Sequence, residues 1–64
     1  MSKLKVTRNN VHDIADGVAE LFHSNGQNQT DAIQWIVKMN FNGYIIGTER
    51  NIMTLIKSVK ELMK

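Results

Sequence analysis

Apolar and polar side chains alternate with a period of two near the N-terminus. Leu4 and Val6 fall on one side of residues 3–7, which predicts a β-strand with one buried face. The residues on its other side are Lys3, Lys5 and Thr7. A single strand leaves its backbone N–H and C=O groups unpaired, so we expect a second strand beside it.

Three longer segments carry apolar residues at spacings of three and four, the period of a helix with one buried face. The predicted helices cover residues 11–24, 29–40 and 49–63. Asn10 and Thr48 stand just before the first and third helices, where a side-chain oxygen can accept hydrogen bonds from free helical N–H groups. Gly26 is expected to end the first helix in the left-handed conformation.

The second helix has an apolar face that is too wide for one neighbouring helix to cover. It stops at residues 41–43, and the sequence YIIG at 44–47 predicts a short extended piece or a turn. A chain of 64 residues buries only ~60% of the surface that its unfolded form exposes. The wide apolar face and the short chain together favour a homo-dimer or a higher homo-oligomer.

The composition narrows the candidate chemistry. Cys is absent, which excludes disulfides and thiolate metal sites. The residues of metal-binding type in the first helix are His12, Asp13, Asp16 and His23. His12 and Asp16 are four residues apart and can share a helix face, whereas His23 lies about three helical turns further on. Two ligands do not make a site, because zinc needs at least three protein ligands. Ser24 follows His23 in a turn, but adjacency in sequence does not create the geometry of a catalytic triad. We therefore expect no metal, no cofactor and no enzymatic activity.

The distribution of charge favours an anionic partner at the N-terminal end. The formal net charge is only +2, but Lys3, Lys5 and Arg8 all precede the first acidic residue, Asp13. No apolar run approaches the ~20 residues of a membrane span. No apolar segment of the signal-peptide kind follows the basic N-terminus, so we expect a cytoplasmic protein.

The joint between the first two helices resembles a known family. Residues 26–33, GQNQTDAI, are similar to the inter-helix segment of the ribbon-helix-helix repressors of phages, plasmids and bacteria. In that family a Gly and a polar residue precede a capping Ser or Asn. A polar residue, a Ser or Thr, an acid and two apolar residues come next. With the upstream helix and the basic strand, the resemblance covers residues 3–40.

The resemblance implies a fold and a set of DNA contacts. Two chains would pair their N-terminal strands antiparallel, and this ribbon would enter the major groove of DNA. The strand would present its polar side to base edges, and the start of the second helix would meet a phosphate. The implied DNA-binding residues are Lys3, Lys5, Thr7, Asn9, Asn28 and Gln29.

The same resemblance implies that the apolar sides of the strand and helices lie between chains, with the third helix as an added oligomerisation element. The expected oligomer interface comprises Leu4, Val6, Trp35, Ile36, Ile52, Leu55, Ile56 and Val59. The expected fold class is mainly α, with one domain over residues 1–64 in a ribbon-helix-helix-like dimer that carries an extra C-terminal helix. The alternative fold is a plain three-helix bundle.

Two functions follow from these patterns. The first is a small DNA-binding transcriptional repressor of phage or mobile-element type. A helix-turn-helix over residues 31–41 and 48–63 is a second route to DNA binding. The alternative function is a non-enzymatic inhibitor or adaptor that docks on a host protein, because aromatic and Met residues are enriched at interfaces. The aromatic candidates for that surface are Trp35, Phe41 and Tyr44.

Overall fold

The computed structural model describes residues 3–64, so the first two residues of the predicted domain lie outside the described range. The elements are β1 (Leu4–Lys5), α1 (Val11–Ser24), α2 (Gln29–Phe41), β2 (Ile45–Ile46) and α3 (Glu49–Leu62). The prediction of a mainly helical chain with three helices and an N-terminal strand is confirmed. Residues 44–47 contain the second strand, so this segment is the short extended piece and not the turn that the sequence also allowed.

The partner of the N-terminal strand lies in the same chain. β1 runs parallel to β2, with Leu4 opposite Ile45 and Lys5 opposite Ile46. The Val6 N–H donates to the Ile46 carbonyl oxygen at 2.7 Å. This arrangement differs from the expected antiparallel pairing between two chains, which stays a prediction. Its physical reason is that β2 belongs to residues 41–64, which follow the segment covered by the resemblance and supply the missing edge.

The strand is also shorter than the predicted residues 3–7, because the chain turns at Thr7. The Thr7 N–H donates to Asn10 Oδ1 at 2.7 Å, and the Asn10 N–H donates to Thr7 Oγ1 at 3.2 Å. The side chain of Asn10 therefore bonds to residues that precede it in the chain, and it makes no capping bond to α1. Its Nδ2 donates to the Lys5 carbonyl oxygen at 2.9 Å, on the edge of β1 that faces away from β2.

The joint after α1 closes with a left-handed glycine, as predicted. Gly26 has φ +70°, and its N–H donates to the His23 carbonyl oxygen at 3.0 Å. The Gln27 N–H donates to the Phe22 carbonyl oxygen at 2.9 Å. These two bonds form a Schellman motif, which satisfies carbonyl groups that the end of a helix otherwise leaves free. Asn28 then caps α2, accepting from the Asp31 N–H at 3.0 Å.

The joint after α2 repeats the same geometry and leads directly into β2. Gly43 has φ +81°, and the Tyr44 N–H donates to the Met39 carbonyl oxygen at 2.9 Å. The side chain of Asn40 donates through Nδ2 to the Ile45 carbonyl oxygen at 2.9 Å. The end of α2 is therefore fixed to β2 by both backbone and side-chain bonds, which sets where β1 can pair.

One cluster of buried side chains joins all three helices, β2 and Val6, which directly follows β1. α1 packs against α2 and α3, and the rings of Phe22 and Trp35 lie 5.7 Å apart between centroids at an interplanar angle of 59°. The buried members are Val6, Val11, Ala15, Val18, Phe22, Ala32, Ile36, Ile45, Ile52, Leu55 and Val59. No helix within residues 3–64 is long and apolar enough to cross a lipid bilayer.

The core of the single chain contains most of the side chains that we expected between chains, and their part in an oligomer stays a prediction. The buried ones are Val6, Ile36, Ile52, Leu55 and Val59. Trp35 and Ile56 pack against the same core with part of their surface exposed, and Leu4 is largely exposed at the rim of the sheet. The reason is that α1 and α3 of the same chain cover the wide apolar face of α2.

Candidate binding surfaces

An apolar row remains exposed on α2, beside its buried face. Ile33, Val37 and Phe41 follow each other at spacings of four, so they form one row along the helix. Ile33 is half-buried, Val37 is 51% exposed and Phe41 is 89% exposed. We call these three residues the α2 ridge. The buried residues of α2, Ala32 and Ile36, point to a different side and need no help from the ridge.

Two more apolar side chains are exposed just after the ridge. Tyr44 is 41% exposed, and its carbonyl oxygen accepts a hydrogen bond from the N–H of Leu4, which is also exposed. Of the three aromatic residues expected on a docking surface, Phe41 and Tyr44 are therefore accessible. Trp35 is half-buried and packs on Phe22, so its ring contributes mainly to the core.

A basic face lies on α3. Arg50, Lys57 and Lys60 are exposed and fall on one side of the helix by spacing, with Met53 between them. Within residues 3–64 the one ion pair joins Lys64 Nζ to Glu61 Oε1 at 3.5 Å. The three cations of the α3 face are therefore unpaired and available to an anionic partner.

A cavity of about 330 Å³ opens where α1 and α3 begin. Its lining comprises Arg8, Val11, His12, Arg50, Asn51 and Thr54. Arg8 comes from the turn before α1 and Arg50 from the first turn of α3, so two distant parts of the sequence each contribute an arginine to the lining. We call it the arginine cavity.

The residues expected to bind DNA do not form one surface. Lys3, Lys5 and Asn9 are exposed before α1, whereas Asn28 and Gln29 lie after it. The 14 residues of α1 separate the two groups by roughly 21 Å along the helix axis. Asn28 caps α2 with its side chain.

Two of the expected DNA contacts have other structural roles. Thr7 belongs to the turn before α1, where it exchanges hydrogen bonds with Asn10. Gln29 donates through Nε2 to the Lys60 carbonyl oxygen at 2.8 Å, which ties the start of α2 to the end of α3.

The residues of metal-binding type stay apart. Among residues 3–64 no group of three or more His, Cys, Asp or Glu side chains could hold a metal ion. His12 Nδ1 lies 3.3 Å from Ser58 Oγ, which joins α1 to α3 by an exposed contact. His23 lines a polar cavity of about 560 Å³ at the other end of α1, together with residues 27–30 and 62–64.

Sequence reasoning missed the α2 ridge and the arginine cavity for different reasons. The spacing of Ile33, Val37 and Phe41 is visible in the sequence, but the width of the apolar face was attributed to burial as a whole. Only the tertiary packing shows which side faces water. The approach of Arg8 to Arg50 has no local signal, because 41 intervening residues separate them.

Comparison with protein-family models, with curated proteins and with solved structures finds no match to this chain. The functional assignment therefore rests on the surfaces described above.

Proposed function

We propose that the protein is a small, non-enzymatic cytoplasmic adaptor or inhibitor that docks on another protein through the α2 ridge. The observation that carries the proposal is the exposure of Phe41, whose ring is almost entirely in water. Full burial of a Phe side chain contributes about 1.5–3 kcal/mol. The side chain of Phe41 contributes little to the core, and a partner that covered it would gain this burial energy.

The shape of the ridge indicates the kind of partner. Apolar residues at helical spacing, such as Val37 and Phe41, are the anchors of helices that insert into an apolar groove. Most residues that line the cavities described along α1 and α3 are polar, which favours a partner other than a second copy of this chain. The proposed partner is a different protein with an apolar groove, into which the α2 ridge inserts.

The test places a photo-crosslinking phenylalanine analogue at position 41. A matched variant carries it at Glu20, which is exposed on α1. In extract of the source cell, we expect one defined adduct from position 41 and none from position 20. Changing Val37 to Asp in the same protein should abolish the adduct. Equal labelling from both positions, or an adduct with only a second copy of the chain, contradicts the proposal.

The second candidate function is a DNA-binding regulator of transcription, and the basic face of α3 favours it. Arg50, Lys57 and Lys60 can each meet a phosphate of a duplex, which releases counterions and makes binding strongly dependent on salt. This route uses a helix in place of the N-terminal strand, as the helix-turn-helix alternative requires.

Fluorescence anisotropy with a labelled DNA duplex tests this function. We expect binding at low ionic strength that weakens with salt, with a logarithmic slope of about 0.9 for each phosphate neutralised. A double change of Lys57 and Lys60 to Gln should reduce that slope more than the matched change of Lys3 and Lys5. Absence of salt-sensitive binding to the duplex contradicts the DNA-binding function. If the change of Lys3 and Lys5 reduces the slope more, the DNA-binding surface lies at β1 and not on α3.

A ribbon-helix-helix dimer is a third arrangement, which the joint at residues 26–33 favours. It requires β1 to exchange β2 for the strand of a second chain. Asn10 and Asn40 oppose further strand pairing, because their side chains already bond to Lys5 and Ile45 at the outer edges of the sheet. Light scattering over a wide range of concentration tests it. The exchange predicts twice the mass of one chain, and a constant single-chain mass excludes it.

A further inference from the structure

The arginine cavity combines two unpaired cations with a nearly fixed backbone. Within residues 3–64 neither Arg8 nor Arg50 forms an ion pair, and the lining contains no acidic side chain. A guanidinium group offers a planar set of donors that matches the oxygen atoms of a phosphate. Two such groups beside one cavity attract a doubly charged anion more strongly than either exposed cation alone.

The walls of the cavity are held by contacts outside it. Val11 is buried and belongs to the core, so the start of α1 cannot move without disturbing the packing. The exchange of hydrogen bonds between Thr7 and Asn10 fixes the turn that carries Arg8. The backbone positions of the cavity are therefore set before a ligand arrives, which reduces the entropy lost on binding.

The α3 side of the cavity is fixed in the same way. Thr48 caps α3 by accepting from the Asn51 N–H at 3.1 Å. Thr54 donates through Oγ1 to the Arg50 carbonyl oxygen at 2.9 Å, within the first turns of the helix. Because α3 is anchored in the core through Ile52 and Leu55, the Arg50 backbone stays opposite the start of α1.

The size and polarity of the cavity point to more than an inorganic ion. Small-molecule sites enclose about 300–1,000 Å³, and this cavity of about 330 Å³ lies at the lower end of that range. His12, Asn51 and Thr54 add polar groups that can bond to hydroxyl groups beside the phosphate. We infer that the arginine cavity binds the phosphate ester of a small molecule, with Arg8 and Arg50 on the phosphate and a group of about the size of a pentose beside it.

The test is a titration of the full chain with ribose 5-phosphate at constant ionic strength, followed by amide chemical shifts. We expect saturable shifts confined to the lining residues, and none with ribose. Charge-assisted hydrogen bonds contribute about 1.5–3 kcal/mol, so Arg8→Gln or Arg50→Gln should weaken binding by roughly 10- to 100-fold. Arg8→Lys should retain part of the affinity, because it keeps the charge and loses the planar donors.

Lys38→Gln is the matched control, since it removes one positive charge from the exposed surface of α2 without touching the cavity. It should leave the affinity within about twofold, because an exposed charge at that distance is largely screened. Shifts that stay linear in ligand, or that weaken equally in Arg8→Gln and Lys38→Gln, show general attraction between charges and overturn the inference. Both arginines are exposed, and the spectrum of each variant verifies its fold.

A short DNA duplex distinguishes the source of the phosphate. If ribose 5-phosphate gives saturable shifts, the cavity takes a free phosphate ester whether or not the duplex binds. If only the duplex shifts the same amides, the site belongs to the backbone of a nucleic acid and the small-molecule inference fails. The inference does not depend on docking by the α2 ridge, so crosslinking at position 41 and this titration can fail separately.

Discussion

A Cβ atom on Gly47 would stand 2.8 Å from the backbone oxygen of Val6. That approach is closer than a Cβ tolerates, and the neighbouring atom is backbone that cannot rotate away. It also lies beside the hydrogen bond from the Val6 N–H to the Ile46 carbonyl oxygen. The parallel pairing of β1 with β2 therefore depends on a missing side chain at residue 47.

Gly47→Ala should destabilise the protein by about 1–3 kcal/mol, because the methyl group pushes β1 away from β2. Gly17→Ala is the control, since a Cβ there meets nothing within 4 Å in the middle of α1. It should stabilise the protein by about 0.5–1 kcal/mol through helix propensity. Urea unfolding of both variants measures the difference, and equal midpoints would show that β1 is not held against residue 47.

Phe22→Ala and Phe41→Ala should differ sharply in their effect on stability. Phe22 is buried against Trp35, so its truncation should cost about 3–5 kcal/mol. Phe41 is in water, and its truncation should change the free energy of unfolding by less than about 0.5 kcal/mol. Thermal or urea unfolding checks both. A large cost at Phe41 in the isolated chain would mean that its ring is covered, which contradicts a free docking surface.

Leu55→Ala should cost about 2–5 kcal/mol, because Leu55 is fully buried among residues of all three helices. Leu62→Ala removes the same atoms from a residue that is 52% exposed near the end of α3, so it should cost well under half as much. Paired denaturant curves test the ratio. Equal costs would indicate that a second chain covers Leu62 under the conditions of the measurement.

Asn40→Ala should destabilise the chain by about 0.5–1.5 kcal/mol, since it removes the hydrogen bond to the Ile45 carbonyl oxygen. The loss should be local, because Asn40 joins the end of α2 to β2. Amide hydrogen exchange should show faster exchange at Val6, whose partner strand loosens, with little change at Val18 in α1. Uniform acceleration at both amides would show that the bond contributes to global stability alone.

The helices follow from the sequence because their signals are local. Apolar spacing marks each helix, Gly26 marks a left-handed stop, and Thr48 and Asn28 supply caps that bond within three residues. Each of these features depends on neighbours along the chain. Local chemistry is therefore sufficient to place α1, α2 and α3, with ends that differ from the predicted ones by at most one residue.

The pairing of the strand and the role of the apolar surplus depend on contacts between distant residues. The alternation at Leu4 and Val6 shows that a partner strand is needed, but it carries no information about which strand. Two residues, Ile45 and Ile46, are too short a run to reveal a period. The sequence likewise does not show which apolar residues of α2 are buried, as Ile36 is, and which form the exposed α2 ridge. That division arises only when α1 and α3 pack against α2.

The pairing of Leu4 with Ile45 has a further consequence for the order in which the chain folds. During synthesis α1 and α2 can form before β1 has a partner strand. The reason is that β2 is translated some forty residues after β1. Bringing those ends together costs loop-closure entropy, and proteins rich in such distant contacts fold more slowly. Val6 remains exposed to solvent until Gly47 has left the ribosome. The pairing of β1 with β2 is therefore a late step in the folding of the chain.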